Sequence, residues 1–249
     1  MAYSFVQDGP IAGGRITIWR PPRKDKPVAL GLDFALGLQD GDFDAGVALD
    51  VDHKLVFTCH GRWAESFSDI LWPLLQWYEP FVVGERQVGL PILRNLYDRG
   101  YGWLYFNREE SKKGRPPRDM LGHARYAGDT IIPRLRRLIA PRASDGTLEP
   151  SKIEIYDAEL HGQLCKFGFQ PRSDAVPDDG TGRDAQYKMS APAGEHDDLV
   201  LACAYACAGV EWLPAYEKPP ARFAPGTVGH MLGMDEPDES TPKRSRWAK

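Results

Sequence analysis

The chain has 249 residues, 42% hydrophobic and 27% charged, which is the composition of a globular protein with room for one large domain or two small ones. A net charge of −4 excludes a uniformly basic nucleic-acid binder, and the longest low-polarity stretch, Leu199 to Val210, is too short to span a bilayer. Four cysteines without a CxxC pair, and an N-terminus (MAYSFVQDGP) lacking the basic segment and apolar core of a secretory leader, lead us to expect a reduced, non-secreted setting.

In chain order, "RITIWRPP" alternates Ile16 and Ile18 with Thr17 and Trp19, and reads as a short edge strand closed by Pro21 and Pro22. Pro27 to Phe34 reads as a buried strand. Ala45 to Val51 and Lys54 to Gly61 read as two more, joined by a tight turn at Asp52-His53. These three strands are expected to be antiparallel. "SFSDILWPLLQWYEP" places Ile70, Leu74, Trp77 and Tyr78 at helical spacing, with Pro73 marking a kink or a first turn. Phe81 to Glu85 is a short strand ending on an acid. "GLPILRNLYDRG" is a helix stopped by Gly100, and "GWLYF" is another strand.

Residues 107 to 128 are polar and without period, and read as a long loop or mobile hairpin. "DTIIPRLRRLIA" is an amphipathic helix with Asp129 or Thr130 as its cap and Pro133 early in it. "KIEIYD" is a short strand, and "DAELHGQLCKFGF" a helix capped by Asp157. An acidic loop at 171 to 185 and a strand at "AQYKMS" follow. "GEHDDLVLACAYACAGV" is a well-buried final helix, in which Cys203 and Cys207 read as core packing rather than metal ligation. The expected division is a lead-in with an edge strand (1–26), one α/β domain with a mixed central sheet flanked by helices (27–213), and a Pro-rich flexible tail (214–249).

Carboxylates stand where this pattern does not want them. Asp33 ends the first central strand, Glu85 ends the strand after the first helix, and Asp197 and Asp198 open the last helix. Each also has an ordinary reading: Asp33 as the start of a turn, Glu85 as a partner of Arg86, and the Asp197-Asp198 pair as a cap and a dipole-complementing acid. If the two strands are neighbours, Asp33 and Glu85 meet at one sheet end, and a crossing helix delivers Asp197 or Asp198 to the same point. Such acids either take up protons or bind cations, and an all-oxygen set favours Mg²⁺. Successive helical residues point about 100° apart, so one of the pair caps and the other, Asp198 by preference, binds metal. Cations cluster elsewhere, at Lys112, Lys113, Arg115 and Arg118 and at Arg134, Arg136 and Arg137, either as solvated surface or as holders of an anionic substrate.

The stretches "ALGLDFALGLQDGDFDAGVALD", "FVVGERQVGLPILRNL", "IEIYDAELHGQLCKFGF" and "GEHDDLVLACAYA", in that order, resemble the nuclease domain of the large terminase subunit of tailed bacteriophages. The resemblance implies an RNase H-like fold and a two-metal endonuclease, using Mg²⁺ or Mn²⁺, that cuts concatemeric double-stranded viral DNA during packaging. By position it carries the catalytic acids to Asp33, Glu85 and the Asp197-Asp198 pair. It also makes Asp44 a supporting acid behind the ligands. His196 is a candidate proton shuttle, and Lys112, Lys113, Arg115 and Arg118 are candidate DNA holders. It implies an ATPase motor, a small terminase subunit and a portal as partners, no membrane, and the cytoplasm of an infected bacterium. No GxxxxGK[ST] occurs, so a nuclease unit without ATP hydrolysis is expected, whether excised, separately encoded or a fragment. The rival readings are a junction resolvase or integrase on the same scaffold, and a non-catalytic packaging module with a structural Ca²⁺.

Overall fold

The computed structural model describes residues 5–6, 13–35, 43–63, 66–107, 113–114, 116–123, 131–171 and 187–213. Its elements are β1 (Phe5–Val6), β2 (Gly14–Ile18), β3 (Val28–Asp33), β4 (Asp44–Asp50), β5 (Leu55–Gly61), α1 (Phe67–Tyr78), β6 (Phe81–Gly84) and α2 (Arg86–Asp98). They continue with α3 (Ile132–Ile139), α4 (Ala158–Lys166), β7 (Gly168–Pro171), β8 (Tyr187–Ser190) and α5 (Asp198–Trp212). Six strands form one sheet in the order β1-β2-β5-β4-β3-β6, and β7 and β8 pair separately. Only β3 and β6 run parallel; the other neighbours in the sheet are antiparallel.

The sheet forms where apolar runs are unbroken. All residues of β3, β4 and β5 are buried, as strands covered on both faces require. The β4–β5 turn is closed by Asp50, whose Oδ1 accepts from the backbone N–H groups of Asp52 and Lys54, both at 2.9 Å, while His53 takes a left-handed φ of 57°. One face of the sheet (Ala29, Ala45, Val47, Phe81, Val83) packs on α5, with α3 and α4 behind it. The other (Val28, Leu30, Leu32, Val82) packs on α1 and α2. Wedged between sheet and helices, α5 is apolar all round, as the sequence leads one to expect.

Several expectations are corrected. Residues 102–106 and 152–157 do not become strands. Each touches the sheet at a single bridging pair, Val82–Leu104 and Lys54–Glu154. The first diverts at once to pair Phe106 with Leu121, so its ladder has no length. In α1 the buried stripe is Phe67, Leu71, Leu74, Leu75 and Tyr78, and Trp77 lies on the flank, 53% exposed. Pro73 lies inside that helix, past its first turn. Helix α2 starts at Arg86, directly after Glu85. The N-cap of α3 is Ile131, without a side-chain cap; Asp129 and Thr130 lie outside the described residues. The lead-in strand β2 is no edge, since β1 lies outside it, and it pairs along its length with β5, so it belongs to the sheet. The tail after residue 213 lies outside the described residues, as does most of the acidic loop. Among the described residues no helix is long and apolar enough to cross a membrane.

Asp157 caps α4 as expected, accepting from Glu159 N at 2.9 Å and Leu160 N at 3.1 Å. It also takes the Thr58 hydroxyl at 2.7 Å and is 1% exposed, so it ties α4 to β5. Asp157→Ala is expected to cost about 2–3 kcal/mol of unfolding free energy, combining a lost cap with an orphaned buried hydroxyl. Urea denaturation checks this, and a loss below ~0.5 kcal/mol would contradict the capping role.

Candidate active site

The strand register sets out a row of residues across one end of the sheet. Leu32 pairs with Gly84 in the parallel ladder, and Glu85 N continues it by donating to Leu32 O at 3.2 Å, so Asp33 and Glu85 come next to each other. Asp33 pairs with Ala45, Ala45 with His60, and His60 with Arg15. Cross-strand partners share a face, so Glu85, Asp33, Ala45, His60 and Arg15 all point to the side covered by α5.

Helix α5 brings the third acid. A Cβ on Gly31 would lie 1.9 Å from Ala202 O, and one on Gly209 would lie 2.9 Å from the Ala29 Cβ, so the helix runs antiparallel to β3 in close contact. Asp198 is one turn before Ala202, about 6 Å along the helix, and Asp33 is two residues past Gly31, about 6.6 Å along the strand. The two displacements match and bring Asp198 to the level of Asp33.

Asp33 and Glu85 are each 7% exposed and Asp198 2%, so all three carboxylates are buried at this end of the sheet. Asp198 Oδ2 is buried without a hydrogen bond. The imidazole nitrogens His60 Nε2 and His196 Nδ1 are each 3.7 Å away, beyond hydrogen-bond reach. Its neighbour Asp197 turns to the preceding loop and accepts from Ala191 N at 2.9 Å. The Leu199 N–H at the start of α5 is taken by Gln163 Oε1 at 3.0 Å. This corner fits hard divalent cations: it offers oxygen donors, one of them an orphaned buried carboxylate oxygen. Among the described residues no three His, Cys, Asp or Glu side chains stand in an ion-holding geometry.

The other expected residues are distributed as follows. Asp44 faces away from the row, accepting from Ala35 N at 3.1 Å and Trp63 N at 3.0 Å, and so fastens the ends of β3 and β5. His196 stands at the rim, its ring 4.9 Å from Phe43. Arg118 is held by Asp98 through contacts of 2.6 to 3.0 Å. Lys113 is exposed, while Lys112 and Arg115 lie outside the described residues. The polar loop returns to the site: His123 N donates to Gly84 O at 2.8 Å and the residue pairs beside Glu85.

His60 has no place in the sequence reading, yet it sits in the row. It is 9% exposed, with Nδ1 2.8 Å from Glu159 Oε1 and Nε2 facing Asp198. Burial disfavours its charged form, but Asp198 and Glu159 outweigh burial and push its pKa up to about 9. The contact with His60 in turn holds Glu159 below the usual carboxylate range. Glu159 Oε2 also accepts from Arg15 at 2.9 Å. The available signal was that Thr58 and His60 are alternate polar residues on one face of an otherwise apolar strand.

The fold is similar to that of the large terminase nuclease from thermophilic phage G20c, with a TM-score of 0.53 and 19% identity over 78% of this chain and 87% of that one. The same nuclease with bound magnesium gives 0.49 and 17% over 78% and 86%. The large terminase nuclease domain of Thermus phage P74-26 gives 0.47 and 17% over 84% and 90%. No protein-family model and no curated protein matches the sequence. The likeness to the first of these establishes an RNase H-like fold for this chain.

Proposed function

We propose that this chain is the nuclease of a tailed-phage large terminase, an endonuclease that uses divalent metal to cut concatemeric double-stranded DNA during genome packaging. The observation that carries the reading is the strand register that sets Asp33 beside Glu85 on the face crossed by the start of α5. Asp33, Glu85 and Asp198 would hold two Mg²⁺ or Mn²⁺ ions. When bound, such ions supply an activated water and neutralise charge on the leaving oxygen. The protein's own part is to exclude bulk water from the buried corner and to hold the duplex backbone against it. Lys112, Lys113, Arg115 and Arg118, on the loop whose base lies beside Glu85, are the proposed phosphate holders. His196, at the rim, would carry a proton away. The partners under this reading are a packaging motor, a small terminase subunit and a portal, in the cytoplasm of the infected host.

The test is cleavage of supercoiled plasmid, linear duplex and a four-way junction with Mg²⁺, with Mn²⁺ and with chelator. The expected result is nicked, then linear plasmid in either ion, none with chelator, and no preference for the junction. A preference for the junction above ~10-fold, worth about 1.4 kcal/mol, would move the protein to the resolvases. No cleavage in either ion would leave only a binding module.

A further inference from the structure

The residues just outside the acidic corner form a chain of contacts that the proposed nuclease reaction does not use. Arg15 on β2 donates to Glu159 Oε2 at 2.9 Å, and Glu159 Oε1 meets His60 Nδ1 at 2.8 Å. His60 Nε2 then faces Asp198 Oδ2 at 3.7 Å. Four elements (β2, α4, β5 and α5) are thus linked through side chains that end on one proposed metal ligand. The link is rigid where it starts. Glu159 lies in the first turn of α4, set by the Asp157 cap, and each of its oxygens has a cationic partner. The His60 ring is further fixed by Phe43, 4.6 Å away. At the far end, His60 Nε2 and Asp198 Oδ2 are both buried and neither has a hydrogen bond. His196 Nδ1, also buried without a hydrogen bond, is equally 3.7 Å from Asp198 Oδ2, but only His60 has a carboxylate fixing its other ring nitrogen.

We infer that His60, held by Glu159, is a positioning residue that turns the Asp198 carboxylate toward Asp33 and Glu85. This rests on the proposed metal site. A carboxylate ligand is free to rotate, and its affinity for an ion depends on the groups behind it that select one rotamer. An imidazole fixed at Nδ1 by a carboxylate presents Nε2 in one direction, which suits it to that task. A histidine that merely filled the core would need neither Glu159 at Nδ1 nor a metal-ligand candidate at Nε2.

The test is the affinity of the full chain for Mn²⁺, read by the electron paramagnetic resonance of the free ion without DNA, alongside thermal unfolding. His60→Ala is expected to weaken Mn²⁺ binding about 10-fold or more. His60→Gln, which can still place an amide near Asp198, recovers part of this, and Glu159→Gln weakens binding by a smaller factor. In the His60→Ala background, Glu159→Gln has no further effect, because it acts through the imidazole. Glu159 is 41% exposed on its side chain, so its substitution leaves the fold intact and carries the test even if His60→Ala unfolds. Unchanged affinity in Glu159→Gln, or additive losses in the double variant, would overturn the positioning role. A wild type that binds no Mn²⁺ would remove the metal site and this inference together. A wild type that binds, an Asp33→Asn that does not, and an unaffected Glu159→Gln would overturn the inference alone.

Discussion

Asp33→Asn is expected to abolish plasmid cleavage, by on the order of 10³-fold or more, while the protein stays folded and still binds DNA. Asp33 stands between Glu85 on one neighbouring strand and Ala45 on the other, at the level of Asp198. It is therefore the acid that lies next to Glu85 and level with Asp198. Adjacent strands are about 4.8 Å apart, and two carboxylates at about 5 Å repel by roughly 3 kcal/mol at an effective dielectric of 20. A cation between them removes that repulsion, and an amide at 33 removes both the repulsion and the reason to bind. The substitution should therefore also cancel stabilisation by metal. For the wild type, Mn²⁺ at a hundred times its Kd adds about 2.7 kcal/mol, a rise in Tm of roughly 5 °C or more. For Asp33→Asn the rise should vanish. Duplex affinity at moderate salt should change little, since the proposed holders of the backbone are Lys and Arg side chains. Metal-dependent cleavage or an undiminished Mn²⁺ shift in the variant would remove Asp33 from the centre of the mechanism.

Much of this was legible in the residues themselves. The fully buried runs 28–33, 44–50 and 55–61 could hardly be anything but central strands, and an acid terminating such a run stood out against its background. The Asp52-His53 turn and the Asp157 cap follow from residue chemistry within a few positions, which a sequence displays directly. What depends on distant partners was not legible. Residues 102–106 have the composition of a strand, but ladder length is decided by the neighbouring β6 and by the return of residues 120–123. Trp77 shares helical spacing with Ile70 and Leu74, yet the angle of its position around α1 sets it aside. The resemblance made Asp44 a supporting acid, but the alternation along β4 turns it to the opposite face. His60 was hidden because its meaning lies in Glu159 and Asp198, about a hundred or more positions further along the chain. Basic residues on the loop could be counted, but not that Arg118 is engaged by Asp98.

Gly31→Ala is expected to be among the most damaging single-methyl changes in the protein, and to damage the site as well as the fold. The added Cβ would lie 1.9 Å from Ala202 O, 2.3 Å from Ala206 N and 2.9 Å from Tyr205 C, all backbone atoms of α5 that no rotamer change can move. The helix must lift from the sheet. Overpacking of this kind costs about 3 kcal/mol or more, a fall in Tm of roughly 6–12 °C. The same lift carries Asp198 away from Asp33, and a misplacement of about 1 Å at reacting groups costs on the order of 10²-fold in rate. So the fraction that remains folded at low temperature should still cut poorly and bind Mn²⁺ weakly. Gly162→Ala is the control, because its Cβ meets nothing within 4 Å inside α4. There the same methyl should raise stability by roughly 0.5–1 kcal/mol, through helix propensity alone, and leave cleavage unchanged. Thermal unfolding and Mn²⁺ titration of the two variants side by side separate a helix pressed directly onto β3 from one that merely passes near it. Wild-type stability and Mn²⁺ affinity in Gly31→Ala would mean that α5 does not lie where it can bring Asp198 to the level of Asp33.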